Sequence, residues 1–175
     1  MTLRRPRRRA RPPAEVLRQL ELAPAERPLA WAADRAGRWH VGTDQALHLA
    51  DIDGFHKLRW EQVERADWHR DDERLVVVEV ADWGEPERRH DINVADPGQL
   101  LELLRERVTK SVLTTVYAAV RGRAGLSVVA RRSPVGTGPV AWSYVLAEGL
   151  HPNDPDVEEV AERTLRQAAA ELADL

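Results

Sequence analysis

The architecture of this chain is set by the segment Trp39-His-Val-Gly-Thr-Asp-Gln-Ala-Leu-His-Leu49, which continues through Leu58-Arg-Trp-Glu-Gln-Val63. Short apolar runs alternate with turn residues here, and a helical pattern follows further along the chain. Several short strands closed by one helix predict a small curved antiparallel sheet with a helical plug. This is a pattern of folding and not of catalysis, so we expect a protein that is not an enzyme.

Strand periodicity extends on both sides of this segment. It predicts strands at residues 29–33, 38–43, 46–50, 55–68, 75–80 and 88–94, the fourth of them bent near Val63. Trp60 lies on the bent strand and is expected in the core. The dipeptide Asp53-Gly54 favours a type I′ hairpin turn. An apolar stripe then predicts a helix over residues 99–110, carried by Leu100, Leu101, Leu104 and Val108.

The last third of the chain repeats this logic on a smaller scale. Strands are predicted at residues 112–121, 126–131 and 140–148, followed by a helix that Asp154 caps and Pro155 begins. A three-stranded sheet with one helix is marginally stable alone. We therefore expect an α+β protein with a disordered basic tail (1–13), a first domain with a short leading helix (14–110), and a β-β-β-α unit (111–175) that packs on the first domain and shares its core.

Composition excludes several classes of function. The chain has no cysteine, which removes disulfides, thiolate zinc sites, iron–sulfur clusters and cysteine nucleophiles. No apolar run is long enough to span a bilayer, and the basic start is followed by Pro12-Pro13 in place of an apolar signal core. We therefore expect a cytoplasmic protein without a transmembrane segment.

The order of these features resembles a known domain. Thr43-Asp44, Leu47, Trp60 and Val63, followed by paired strands and a leucine-rich helix, make residues 29–110 similar to bacterial pleckstrin-homology-like (PH-like) domains. The whole chain resembles an actinobacterial family built on that domain. The resemblance implies a strongly bent, barrel-like antiparallel sheet with one end closed by the helix at 99–108. It implies no catalytic residue, because the family has none to transfer.

The same resemblance bears on the ligand. Eukaryotic members of the fold bind phosphoinositides through a basic first hairpin loop. The corresponding loop here, Asp34-Arg-Ala-Gly-Arg38, has one acid against two arginines and no lysine. We therefore expect a non-catalytic binding or scaffolding protein whose partner is another protein, or a second copy of the chain, rather than a lipid.

Outside the N-terminal tail, the candidate site residues are histidines and tryptophans. His40, His48 and His56 recur every eight residues, a spacing that permits a metal site only if the strands align them. Polar neighbours favour solvent-facing histidines, so we expect no metal and no cofactor; a deep pocket lined by at least two of the three would instead favour an enzyme. Trp83, beside Gly84 in a polar turn, is the expected exposed tryptophan and a candidate partner contact.

An arginine-rich tail supplies the alternative function. Its arginines are Arg4, Arg5, Arg7, Arg8, Arg9 and Arg11, and no acidic residue lies among residues 1–13. Closely spaced cations gain from counterion release on RNA or DNA, and they are attracted to anionic membrane surfaces. The tail is therefore either a solvated segment that contacts nothing specific or a polyanion-binding arm, and the second possibility makes a nucleic-acid-associated protein the second hypothesis.

Overall fold

Ten strands in three antiparallel sheets and three α-helices make up the computed structural model, which describes residues 11–173. The α+β class predicted from the sequence is confirmed. None of the three sheets closes into a barrel over these residues. None of the helices at 11–173 combines the length and apolar character needed to cross a membrane.

The first domain begins with the short helix α1 (Ala14–Gln19) and contains two sheets. The first sheet has four strands in chain order: β1 (Pro28–Ala33), β2 (Trp39–Thr43), β3 (Ala46–Asp51) and β4 (Gly54–Arg59). The second sheet has three: β5 (Val63–His69), β6 (Arg74–Glu79) and β7 (Arg89–Asn93). Helix α2 (Gly98–Ser111) follows and packs against β1, β2 and β5.

The predicted bent strand at 55–68 is two strands in two different sheets. A 3₁₀ turn at Trp60–Gln62 separates β4 from β5. Only one face of each sheet contributes to the first core, because side chains alternate along a strand. These inward apolar side chains meet those of α2, and the cluster includes Leu47, Leu49, Leu58, Leu75, Val77, Ile92, Leu100, Leu103 and Leu104.

Trp60 lies where the two sheets and α2 meet. Its side chain is fully buried, as the sequence predicted, and its Nε1 donates a hydrogen bond to the carbonyl of Thr43 at 3.2 Å. Gly42 gives the indole room, because a Cβ at that position would lie 2.6 Å from Cδ2 of Leu103 and 3.5 Å from Cη2 of Trp60. The close approach of β2 to α2 therefore requires glycine.

The turn between β3 and β4 differs from the predicted one. Asp51 pairs with Gly54, so Ile52 and Asp53 are the central residues. Among the four residues 51–54 of this turn, only Gly54 has a positive φ, of 144°. The predicted type I′ turn centred on Asp53-Gly54 is wrong, because that turn needs positive φ at both central residues.

A third sheet and the helix α3 (Pro155–Ala173) form the rest of the chain. The sheet contains β8 (Val112–Arg121), β9 (Ala124–Arg131) and β10 (Ala141–Leu146), in the order β10-β9-β8. Helix α3 packs against β8 and β9. Arg121, at the end of β8, donates hydrogen bonds to Asp154 and Asp156 and so fixes the start of the helix.

Within residues 11–173 the buried apolar side chains form two separate clusters, so the predicted single shared core is wrong. The second cluster joins the third sheet to α3 through residues that include Leu126, Val128, Val157 and Ala168. Helix α3 supplies the cover that the small sheet needs, which removes the need to share the first core. One contact between the two units lies at Arg131, whose guanidinium donates to Ser111 Oγ and to the carbonyl of Glu64, both at 3.2 Å.

Replacing Trp60 by alanine should cost about 3–5 kcal/mol of unfolding free energy, because a large buried side chain leaves a cavity at the junction of the sheets. Urea unfolding followed by circular dichroism measures this loss. Trp60→Phe is the matched control and should cost less, since it keeps most of the apolar volume and loses the hydrogen bond to Thr43. A loss below about 1 kcal/mol for Trp60→Ala would contradict the burial of this side chain between the two sheets and α2.

Candidate functional site

The three regularly spaced histidines do not converge on one point. His40 pairs with Ala32 and His56 pairs with Leu49, so both lie on the inner face of the first sheet. His48 pairs with Val41 and Lys57 on the opposite face. His40 and His48 are buried, with relative exposures of 2% and 0%, so the prediction that they face solvent is wrong.

His40 is held as a neutral imidazole by contacts on both ring nitrogens. Its Nδ1 accepts a hydrogen bond from the backbone amide of Ala50 at 3.2 Å, so the proton lies on Nε2, which faces Oδ2 of Asp34 at 3.5 Å. Burial lowers the pKa of His40, although the Asp34 carboxylate opposes this shift. The ring therefore ties β2 to β3 and to the β1–β2 loop.

His48 belongs to a buried cluster around Glu26, a residue of the segment that precedes β1. One carboxylate oxygen of Glu26 accepts from Thr43 Oγ1 at 2.7 Å and from His48 Nε2 at 3.0 Å. The other accepts from Lys57 Nζ at 2.7 Å and from the amide of Ala23 at 2.9 Å. Burial raises the pKa of Glu26, but these four donors lower it overall, to about 2.

The neutral form of His48 follows from the same geometry. Its Nε2 donates to a carboxylate, while its buried Nδ1 has no hydrogen-bond partner. A proton added at Nδ1 would be a buried donor without an acceptor, which is costly. Burial accordingly lowers the pKa of His48 despite the nearby Glu26 carboxylate.

A third cluster joins His56 to two residues that lie far away in sequence. His56 Nε2 lies 2.8 Å from Oε1 of Glu79, and His90 Nε2 lies 2.6 Å from the same oxygen. The two imidazole rings stack with centroids 5.2 Å apart and planes 30° apart. Burial raises the pKa of Glu79, but the hydrogen bonds from His90 and His56 lower it overall.

This His56–Glu79–His90 cluster lies on inward faces of both sheets of the first domain. His56 is on β4, whereas Glu79 and His90 are on β6 and β7. Glu79 shares the face of Leu75 and Val77, and His90 shares the face of Ile92, all of which are core residues. The cluster is half-buried, and the set of one carboxylate and two imidazoles is a combination that can hold a metal ion.

Trp83, the tryptophan expected to be exposed, is half-buried and packs against the second unit. Its ring contacts that of Tyr144 edge to face, with centroids 4.8 Å apart. The side chain therefore makes an intramolecular contact between the two units, and this contact competes with its candidate role in binding a partner.

The tail arginines Arg4, Arg5, Arg7, Arg8 and Arg9 lie outside the described residues. Arg11 is described, and its guanidinium lies over the ring of Trp31, 5.7 Å from the ring centroid. This is the geometry of a cation–π contact. The last arginine of the tail thus contacts the first sheet.

A cavity of about 680 Å³ lies between α1 and the turns of the first sheet. It is open to solvent, and its walls include two arginines, Arg18 and Arg38, and three acidic residues, Glu21, Asp51 and Asp53. A site for a polyphosphate needs an excess of cations. The mixed charge of this cavity does not provide that excess.

Strand β8 has an unpaired edge. Within residues 11–173 it pairs only with β9, so its outer backbone groups have no strand partner. Residues 112–120 are all uncharged in a chain that is 31% charged, and Tyr117 is 58% exposed. Edge strands are usually protected by lysine, proline or short length. The ten residues of β8 contain no lysine and no proline. Its pairing with β9 shifts register near both ends of the strand, but residues 114–119 pair without interruption.

Other edge strands contrast with β8. Strand β1 begins with Pro28, and β4 carries Lys57. Strands β5 and β7 are rich in charge. Strand β10 is uncharged as well, but it has only six residues.

Comparisons with protein-family models, with curated proteins and with solved structures find no match to this chain. Its function must therefore be argued from its own residues.

Stability should fall as the pH drops below about 6.5, because the unfolded chain binds protons that the buried neutral imidazoles of His40 and His48 exclude in the folded state. Each lowered histidine pKa contributes a slope of up to about 1.4 kcal/mol per pH unit, and its stabilisation is complete above the unfolded pKa. Urea unfolding at pH 7, 6 and 5 measures the slope.

The variant His48→Gln should reduce that slope, since an amide can donate to Glu26 and does not titrate. His151→Gln is the control, because His151 is exposed in a loop. An identical pH dependence in wild type and His48→Gln would show that His48 is protonated in the folded protein or exposed to solvent.

Proposed function

We propose that this chain is a non-catalytic cytoplasmic binding and scaffolding protein, built on a PH-like domain, that binds an extended segment of protein along strand β8. The observation that carries this proposal is the long edge of β8, which is uncharged over residues 112–120 and has no second strand partner within residues 11–173. An extended segment can add to such an edge through backbone hydrogen bonds, and alternate side chains then supply specificity.

The layout of the first domain supports its PH-like part. Two antiparallel sheets, of four and three strands, enclose one core and are followed by a helix that packs on both. The resemblance in sequence implies a bent sheet closed at one end by this helix. A scaffold of this kind leaves loops and strand edges free for binding.

Charge favours a protein partner over an anionic lipid. The cavity beside the first hairpin turns carries three acidic residues against two arginines. Over residues 112–120, by contrast, the exposed residues of β8 are neutral: Thr115, Tyr117 and Ala119. The charged Arg121 at the end of the strand is paired with Asp154 and Asp156. An uncharged, β-prone segment matches this edge without desolvating charge, and β8 itself has these properties, so a second copy of the chain is the first partner to test.

Nucleic acid remains the second candidate, on the strength of the arginines at positions 4–11. Removing residues 1–10 tests it more cleanly than removing 1–13, because Pro12 is buried and the carbonyl of Pro13 accepts the amide of Leu17 in α1. RNA binding that weakens steeply with salt and is lost on this deletion would favour the nucleic-acid hypothesis.

Thr115→Lys should weaken association along β8 by at least about tenfold. A peptide that pairs with β8 would have to accommodate the added charge, and a second copy of the chain would bring a like charge to the same edge. Sedimentation equilibrium of the full chain measures self-association. Panning of a random peptide library on immobilised protein measures binding of other extended segments. Thr137→Lys is the matched control, because Thr137 lies exposed in the β9–β10 loop.

The proposal expects a dimer, or selected peptides, that Thr115→Lys loses and Thr137→Lys keeps. Val145→Lys adds a lysine to β10, the other edge strand of the third sheet, and so distinguishes association along β8 from association along β10. A monomer that selects no peptide, or association that Thr115→Lys leaves unchanged, contradicts it.

A further inference from the structure

The two sheets of the first domain meet in two different ways. Near Trp60 and α2 they are joined by packed apolar side chains. At His56, Glu79 and His90, the inward side chains are polar and come from one strand of the first sheet and two strands of the second. This polar contact between the sheets has the composition of a metal site.

We propose that His56, Glu79 and His90 bind a divalent transition-metal ion, with zinc as the reference metal. The ligand atoms of the three residues all lie within 4.8 Å of one another. Imidazole nitrogen and carboxylate oxygen are the ligands that zinc takes when thiolates are absent, and two histidines with one glutamate form a known zinc ligand set. This inference goes beyond the binding role of β8 and does not depend on it.

A bound metal ion would replace the two hydrogen bonds of the cluster with bonds from the same atoms to the ion. Both Nε2 atoms point at the same carboxylate oxygen, at 2.8 Å and 2.6 Å. Zinc bonds of about 2.0–2.1 Å in a tetrahedral arrangement place ligand atoms roughly 3.3 Å apart, so the ligands need to separate by about half an ångström or slightly more. Each imidazole then moves its proton to Nδ1, and its Nε2 lone pair binds the ion.

Burial of the cluster suits an ion that keeps one bound water. The side chains of His56, His90 and Glu79 are 30%, 24% and 17% exposed. A closed zinc site has four protein ligands, whereas this cluster supplies three and is partly open to solvent. Three protein ligands leave the fourth position of a tetrahedral zinc ion to water.

The other two histidine–carboxylate contacts lack these properties. Asp34–His40 and Glu26–His48 contain one imidazole each, and both histidines are closed to solvent. Nε2 of each histidine faces its carboxylate, and no second imidazole within residues 11–173 shares that contact. The His56–Glu79–His90 cluster is therefore the one that the protein offers to a metal within residues 11–173.

A bound ion would link β4 directly to β6 and β7. Because it binds the folded arrangement and not the unfolded chain, it would raise the melting temperature in proportion to its occupancy. The ion would thus join the two sheets at their polar contact.

Zinc titration of the untagged full chain, after chelation and dialysis, tests the proposal by calorimetry. We expect one ion per chain, a higher melting temperature with zinc, and visible d–d absorption when cobalt replaces zinc. Glu79→Gln keeps the size and hydrogen bonding of the side chain but removes the anionic ligand. It should weaken zinc binding by more than about tenfold, since even residues that only orient a ligand cost 10–100-fold.

Two further variants complete the test. His90→Gln should cause a similar loss of affinity, and His151→Gln, in the exposed loop before α3, should cause none. The urea midpoint of each variant without metal shows whether it is folded. Absence of stoichiometric zinc binding by the wild type overturns the proposal, as does equal affinity in a folded Glu79→Gln protein, which would assign the metal to surface histidines.

Discussion

The indole of Trp60 fixes the relation between the two sheets of the first domain. The chain leaves the first sheet at β4 and enters the second at β5 through a single 3₁₀ turn, and Trp60 is the first residue of that turn. Its ring packs beside Gly42 of β2 and the leucines of α2, and its Nε1 donates to Thr43. Loss of this contact would free both sheets and the helix together, because all three surround the same side chain.

Polar contacts hold the chain where apolar packing ends. The Glu26 carboxylate accepts hydrogen bonds from Thr43, His48 and Lys57, and these bonds hold the segment before β1 against the outward face of the first sheet. On the inward face, Glu79 gathers His56 and His90 between the sheets. In both clusters one carboxylate satisfies several donors, which is how a charged group can lie in or near a core. The first cluster is closed and structural, whereas the second is open enough for a ligand.

Periodicity in the sequence predicts nearly all the strands and both long helices. The two-residue alternation of a strand and the one-sided apolar stripe of a helix both follow directly from which side chains are buried. Trp60 was predicted in the core for the same reason. The 3₁₀ turn was missed because Trp60-Glu-Gln62 carries no glycine or proline to mark the change of sheet. Alternation alone would have placed Glu79 inward with Leu75 and Val77, and this was the available signal for the polar cluster.

The histidine prediction failed for a different physical reason. The prediction assumed that side chains on the outward face of a strand are exposed to solvent. At His48, however, Glu26 and its neighbours cover that face. Contacts between a loop carboxylate and a strand 22 residues away leave no periodic trace. The separate cores were missed similarly, because nothing in residues 111–175 shows that α3 packs on the third sheet closely enough to form a second core. The β8 edge, and the convergence of His56 and His90 on Glu79, became visible only once strand order and register were known.

The placement of Trp60 is the central claim, because the register of β2, β4 and α2 and the position of both clusters follow from it. Nuclear Overhauser effects from the Trp60 indole in isotope-labelled protein test it most directly. The structure predicts cross-peaks from the ring to the α protons of Gly42 and to the methyl groups of Leu100 and Leu103, which all meet at Gly42. An indole that shows exchange with water and no cross-peaks to these three residues would contradict the account.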